Sequence, residues 1–306
     1  MTEMSNELKQ HMDLQFKTSV QDILVEDHHA TGIVLENGQT IHAKKVVLAP
    51  GRDGSAWLTK VLSNQGLKLY NNQVDIGVRV ETSNIVMEEI NKNLYEGKFI
   101  YNTSVGTRVR TFCSNPSGHV VIENHEGTMM ANGHAYHDPK LGSDNTNFAL
   151  LVSKNFTKPF KEPIQYGKHI AQLSNMLCDG KILVQRFGDF VRGRRTTEER
   201  LVRNNITPTL KDAVPGDLSL VFPYRIMKDI EEMIYALDEV TPGMASDETL
   251  LYGVEVKFYS NKILTNKDFE TNIKGLRAIG DGASVTRGLQ QASANGLSVA
   301  KSILNK

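Results

Sequence analysis

The sequence predicts an α/β protein whose middle segment is rich in short β runs. Three observations carry this. An apolar strand, Val46–Ala49, stops at Pro50-Gly51. A second short strand, Leu276–Ile279, stops at Gly280-Asp281-Gly282 and feeds a helix. Between them, residues 99–152 are rich in Gly, Asn, Ser and short β runs.

The elements follow in order. Leu14 to Val25 alternates apolar and polar residues, the period of a half-buried strand. Thr31–Leu35 leads to Asn37-Gly38, a strong hairpin signal, and Gln39–Ala43 is expected to pair back. Lys45–Ala49 reads as a buried strand ending at a loop. Ser55–Ser63 reads as a short helix and Val74–Val80 as another alternating strand. Asn84–Asn91 is predicted helical with Asn84 as N-cap. Short strands are expected at Val109–Cys113, His119–Ile122 and Phe148–Val152. Pro163–Leu177 and Tyr224–Leu237 have helical spacing; in the second, Met227, Ile230, Met233, Ile234 and Leu237 form a packing stripe. Leu250–Tyr259 is a long strand candidate. The last helix, Thr286–Leu304, carries a small-residue seam at Ala292, Gly296 and Ala300.

Composition bounds the function. The chain has 306 residues with Lys+Arg and Asp+Glu both at 35, so its formal net charge is zero. That argues against nonspecific binding to a nucleic acid backbone, which needs a basic surplus or stripe. Hydrophobic residues at 40% and charged residues at 23% are those of a globular chain and argue against disorder. No apolar run reaches the ~18–20 residues of a membrane span, and Met1–His11 lacks a signal-peptide core. The two cysteines, Cys113 and Cys178, are too few for a Cys-rich zinc site and indicate no disulfide framework. A reducing, cytoplasmic setting is the expectation.

The strand–Gly-Asp-Gly–helix unit is the most informative chemistry. It places backbone amides and the positive end of a helix dipole at a strand's C-terminal edge. Its glycines let a ligand approach the backbone, and Asp281 is an acceptor suited to the hydroxyls of a sugar or polyol. Arg287 and Gly288 fall in the first helical turn of this reading. The plainer alternative is a helix capped by a tight turn with a surface Asp. Other candidates are weighed the same way. Cys113 reads either as a reactive thiol or as a small buried hydrophobe, and the buried hydrophobe is the stronger reading. Arg192, Arg194 and Arg195 form a basic patch that binds an anionic substrate or a cofactor phosphate, or else pairs with Glu198 and Glu199. His134 and His137 lie three apart beside Asp138, but no third and fourth ligand accompanies them, so no metal site is expected. His119 and Tyr136 are acid–base candidates by residue type.

Two of these segments resemble flavoprotein motifs. Thr271 to Asp281, TNIKGLRAIGD, resembles the distal FAD motif of flavoprotein oxidoreductases: a Thr or Ser, a short apolar strand, then Gly-Asp. Val46 to Gly51, VVLAPG, resembles the middle motif of the same group. The stretches VDIGVRVE (74–81), VRTFCSNPSGHVV (109–121), NTNFALLV (145–152), GDFVRGRRT (188–196), TLLYGVEVKFYSN (249–261) and AIGDGASVTRGLQQASANG (278–296) resemble the uncharacterised FAD-dependent dehydrogenase family, over nearly the whole chain. The resemblance implies a three-layer FAD/NAD(P)-binding domain, residues 1–52 and 245–306, interrupted by an insert at 53–244. It implies FAD as cofactor, with Ala49, Pro50, Gly51, Gly280, Asp281, Gly282, Arg287, Gly288 and Leu289 around it and Asp281 on a ribityl hydroxyl. It also implies a small organic substrate held by the insert and NAD(P)H as a candidate electron donor.

Two features depart from the family. Its members open with a G-x-G-x-x-G unit for the pyrophosphate; none precedes Val46 here, and the ~30 residues of a first βαβ unit are absent. The expectation is that this is the C-terminal part of a longer flavoprotein, with the G-x-G-x-x-G motif supplied by a separate N-terminal segment. Second, Ser114 and Asn115 follow Cys113, so no dithiol forms at 113 and 115. The competing readings are a non-catalytic remnant and a flavoprotein acting on RNA; zero net charge argues against the latter.

Overall fold

The computed structural model describes residues 2–52, 54–160 and 162–304. The expected insert boundary at residue 53 lies outside the described residues, as do positions 1, 305 and 306 of the expected cofactor domain. The architecture is mixed α/β, as the sequence predicts. The chain divides into two compact units, Met1–Asn72 with Tyr259–Lys306, and Gln73–Phe258. The expected breaks at 52/53 and 244/245 differ from these. Helix Ser55–Asn64 buries Leu58, Val61 and Leu62 in the core of the first unit. Strand Leu250–Lys257 sits between two strands of the second unit's sheet.

In the first unit, Val20–Glu26, His29–Leu35 and Thr40–His42 form an antiparallel meander. The first strand starts at Val20, not Leu14; the alternation at 14–18 finds no partner strand. Asn37-Gly38 makes the second turn as predicted, with Gly38 at φ 84°. The first turn, Asp27-His28, also has two positive φ angles, 46° and 62°. This twist matches paired strands, although the sequence lacks the Asn-Gly signature. Gly32 is required by close approach, since a Cβ there would stand 2.2 Å from Ile41 O. Strand Val46–Leu48 pairs in parallel with Leu276–Ala278. Ile23, Ala30, Val46, Leu48, Leu58, Leu62, Leu276 and Ala278 share one core.

The second unit is built on a seven-stranded sheet. Its order is Val214–Pro215, Leu183–Arg186, Leu250–Lys257, Val74–Ser83, Asn145–Lys154, Arg108–Asn115, Ile100–Asn102. Alternation at 74–80 predicts one wet face. Instead both faces of Val74–Ser83 are buried. Val74, Ile76, Val78 and Val80 join helix Tyr224–Asp238 in the main core. Asp75, Arg79 and Glu81 point the other way and are buried too. The hairpin His119–His125 with Thr128–His134 covers Arg79: a Cβ on Gly133 would stand 2.2 Å from the Arg79 guanidinium. Buried charges need partners. Arg79 donates to Asn147 Oδ1 (2.9 Å), to Cys113 O (2.7 Å) and to Glu255 Oε2 (3.4 Å). Glu81 accepts from Thr209 Oγ1 at 2.5 Å and from the Tyr252 hydroxyl. Burial and this carboxylate push the Tyr252 phenol well above its usual range.

Two local expectations change. The helix expected at Asn84 begins at Glu88, with Met87 at its N-cap. Asn84 instead ties loops together: it donates to Ser117 Oγ (2.9 Å) and accepts from Thr146 Oγ1 (2.8 Å). The last helix runs Leu289–Leu304 and buries Asn295 and Val299, whereas Ala300 of the expected seam is exposed. No helix among the described residues is long and apolar enough to cross a membrane.

Candidate functional site

The two motif strands lie side by side. Val46, Val47 and Leu48 pair with Leu276, Arg277 and Ala278, and Ile279 N–H continues the ladder to Leu48 O at 2.9 Å. Because the strands are parallel, both loops leave from the same edge, so Ala49-Pro50-Gly51 meets Gly280-Asp281-Gly282. The approach is close. An ideal Cβ on Gly282 would stand 2.4 Å from Gly51 O and 3.0 Å from Pro50 Cγ. Gly51 (φ 70°) and Gly280 (φ 74°) have left-handed backbones, and nothing lies within 4 Å of a Cβ built on either. Their open side is free for a ligand to meet the backbone.

Asp281 is half-buried and held on both oxygens. Oδ1 accepts from Thr286 Oγ1 at 2.5 Å, and Oδ2 faces Arg52 Nε at 3.2 Å. An ionised carboxylate offers about four lone-pair directions, so two remain for ligand hydroxyls. Gly280 N–H donates to Asn295 Oδ1 at 2.9 Å. The Nδ2 of that Asn295 is buried without a partner. An unpaired buried donor at the foot of an open glycine loop suits a polar ligand, because leaving it unmet costs ~1–3 kcal/mol. Ser284 receives Asn72 Nδ2 at 2.6 Å.

The approach to the last helix differs from the prediction. Arg287 and Gly288 precede it rather than forming its first turn; Gly288 O receives Ala292 N–H at 2.9 Å. Arg287 N–H donates to Gln291 Oε1 (3.0 Å), and its guanidinium stacks 4.2 Å from the Tyr259 ring centroid. Leu289 opens the helix with its side chain in solvent. Arg52, Thr286 and Asn295 escaped the sequence reading. Thr286 and Asn295 lie inside the quoted motif stretch, but only folding shows that one anchors Asp281 and the other Gly280.

In the second unit the remaining candidates scatter. Cys113 is half-buried at φ 50°, beside a register shift between Arg108–Asn115 and Asn145–Lys154. The favoured reading, a small buried hydrophobe in a strand, meets a residue that lies in the strand but is only half-buried; its carbonyl receives Arg79 and Asn115 Nδ2 (2.9 Å). His119 Nε2 donates to Leu141 O at 2.9 Å, and its ring meets Tyr136 edge-on at 5.3 Å. It also lines a cavity of about 300 Å3 with Asn145, Thr207, Thr209 and Lys211. His134 pairs across the hairpin with His119, and Asp138 caps Lys140 N–H at 3.0 Å. Among the described residues no three His, Cys, Asp or Glu gather as metal ligands. Arg192 pairs with Asp247 (2.8 Å) and Arg194 with Asp189 (2.7 Å), not with Glu198 and Glu199.

Two family models match the chain, and one of them coincides with a compact unit. A family model described as "FAD-dependent protein, C-terminal domain-like" matches residues 73–258, the second compact unit. A model described as "Glucose inhibited division protein A" matches residues 1–125. A curated protein of Clostridium beijerinckii, described as uncharacterized, is 27% identical over 317 residues, covering 96% of this chain and 57% of the relative. The chain thus spans a little over half the length of that relative. Among solved structures, PqsL, a probable FAD-dependent monooxygenase from Pseudomonas aeruginosa, is 13% identical at a TM-score of 0.34, covering 99% of this chain and 57% of that one. An oxidoreductase from Methanosarcina mazei is 15% identical at 0.29, covering 94% and 49%. Likeness at that level says nothing of this chain's activity. The match over 73–258 takes in more than half of the sequence, and the chain belongs to this family of FAD-dependent proteins.

Proposed function

We propose that this chain binds FAD at the meeting of its two motif loops and serves FAD-dependent oxidoreduction. The observation that carries the reading is the packing of Gly282 on Gly51, with the open side of Gly51 and Gly280 beside Asp281. The residues fit the group. Asp281 keeps lone pairs for ribityl hydroxyls, Asn295 offers an unmet donor, and Gly51 and Gly280 leave the backbone accessible. Arg287 and the amides at the start of Leu289–Leu304 favour negative charge on a ligand. FAD, when bound, supplies hydride and electron transfer. The chain's part is to bind and orient it; the family match over 73–258 supports the assignment of the cofactor.

The test is a titration of the purified 306-residue chain with FAD, followed by visible absorption and flavin fluorescence. Saturable binding is expected. Asp281→Ala is expected to weaken it about tenfold or more, since a hydrogen bond to a charged group contributes ~1.5–3 kcal/mol. Circular dichroism checks that the variant folds. No spectral change on titration of the parent chain would refute the proposal. If FAD binds, NADH and NADPH are then offered as donors.

A further inference from the structure

Arg192, Arg194 and Arg195 look equivalent in the sequence, yet the structure divides them. Arg192 Nη1 donates to Asp247 Oδ2 and to Gly188 O, both at 2.8 Å. That is one cation on one carboxylate, with both side chains about half exposed, and it leaves no net charge.

Arg194 belongs to a different arrangement. Its Nε donates at 2.7 Å to Asp189 Oδ1, a carboxylate that is fully buried. Arg200 Nη1 lies 3.6 Å from the same oxygen, and Arg186 Nη1 lies 3.9 Å from Oδ2. Thr196 Oγ1 donates to Oδ2 at 2.8 Å. One guanidinium neutralises one carboxylate; three around it leave two positive charges over. Arg195 adds another. Its Nη2 meets Pro215 O at 3.4 Å, and no carboxylate lies within ion-pair distance of it among the described residues. Glu198 and Glu199 follow in sequence but make no ion pair among the described residues. Glu199 is held below the usual carboxylate range by its own backbone N–H and by Thr197 first, and then by the charges of Arg203 and Arg200, so it offsets part of this excess.

The unused donors belong to side chains that are partly exposed. Arg194 spends Nε on Asp189 and keeps both Nη groups, with 46% of its side chain exposed. Arg200 spends Nη1 on Arg195 O at 2.9 Å and keeps its other nitrogens, with 37% exposed. Planar guanidiniums with two parallel N–H groups match oxyanions in a way a point charge does not.

We propose that Arg194, Arg195 and Arg200 form a binding site for a multiply charged oxyanion of the phosphate type, set in place by buried Asp189. The site lies wholly within residues 73–258 and stands whether or not the flavin reading does. Strands and turns hold it: Phe187 N–H donates to Thr249 O (2.7 Å), and Thr196 N–H donates to Gly216 O (3.0 Å).

Isothermal titration of the full chain with inorganic pyrophosphate, at constant ionic strength, tests the site. Saturable binding is expected. Arg195→Ala should weaken it at least tenfold. Arg195→Lys should recover only part, because the fork is lost. Arg192→Ala should leave affinity within about twofold, since that cation is already paired. Arg195 is exposed and makes one backbone contact, so its variants fold; thermal melting confirms it. Absence of saturable heat overturns the proposal. So does an Arg192→Ala loss equal to that of Arg195→Ala, which would mean diffuse charge rather than a built site.

Discussion

Gly282→Ala tests the joint between the two motif loops. The added Cβ would stand 2.4 Å from Gly51 O, against 3.4–4 Å for ordinary contact. The loops must therefore part by about 1 Å. The clashing atom is backbone, so no side-chain rotation relieves it. Overpacking of this kind costs ~1–3 kcal/mol. The melting temperature of the first unit should fall by several degrees, at ~2–8 °C per kcal/mol for domains of this size range. If the strain is relieved by separating the loops, FAD affinity should fall by the same free energy, ~5–150-fold. Gly280→Ala is the matched control. Its φ of 74° with ψ −166° is a region that Ala enters only at ~1–3 kcal/mol, but its Cβ meets nothing within 4 Å. That variant should lose FAD affinity chiefly because the methyl enters ligand space. Differential scanning calorimetry and fluorescence titration read both quantities. A Gly282→Ala protein with parental melting temperature and parental affinity would refute the close packing on which the site rests.

Other predictions follow from buried charge. Tyr252 has a folded pKa raised above its unfolded value, so its contribution is fully present below about pH 10 and is lost as pH rises further. Tyr252→Phe should lower stability at neutral pH by ~1.5–3 kcal/mol, through the lost bond to Glu81, and should flatten the alkaline fall seen by denaturant titration above about pH 10; an unchanged alkaline limb would contradict this. Buried Asp229 accepts from Thr103 Oγ1 and Lys154 Nζ, each at 2.8 Å. Asp229→Ala should cost ~3–5 kcal/mol by chemical denaturation, and adding Lys154→Met should restore part of it. A double variant no better than the single would show that the ion pair is not what the aspartate serves.

The legible parts of this protein were local. Pro50-Gly51, Asn37-Gly38 and Gly280-Asp281-Gly282 announce turns through backbone conformations that few residues adopt, and helices 163–177 and 224–238 announce themselves by spacing. The pairing of Val46–Leu48 with Leu276–Ala278 was not read from the sequence, because 230 positions separate Val46 from Leu276. What the alternation at 74–80 could not show is that its polar face would be buried. Arg79, Glu81 and Asp75 look like a wet face until the hairpin of residues 119–134 covers Arg79.

The arginines make the same point for function. Their charge is written in the sequence, and so is the chance that they meet an anion. Which of them is spent was decided by tertiary structure: Asp247 lies 55 positions from Arg192, and Asp189 is buried beside Arg194 and Arg200. Likewise Asp281 was visible as an acceptor, while Thr286, Arg52 and Asn295 became part of its site only on folding. Turn chemistry and periodicity depend on neighbouring residues, so sequence alone determined the motif loops and the strongly periodic elements. Ion pairing and burial depend on which distant segments meet, so only the folded chain decided which charges stay available to a ligand.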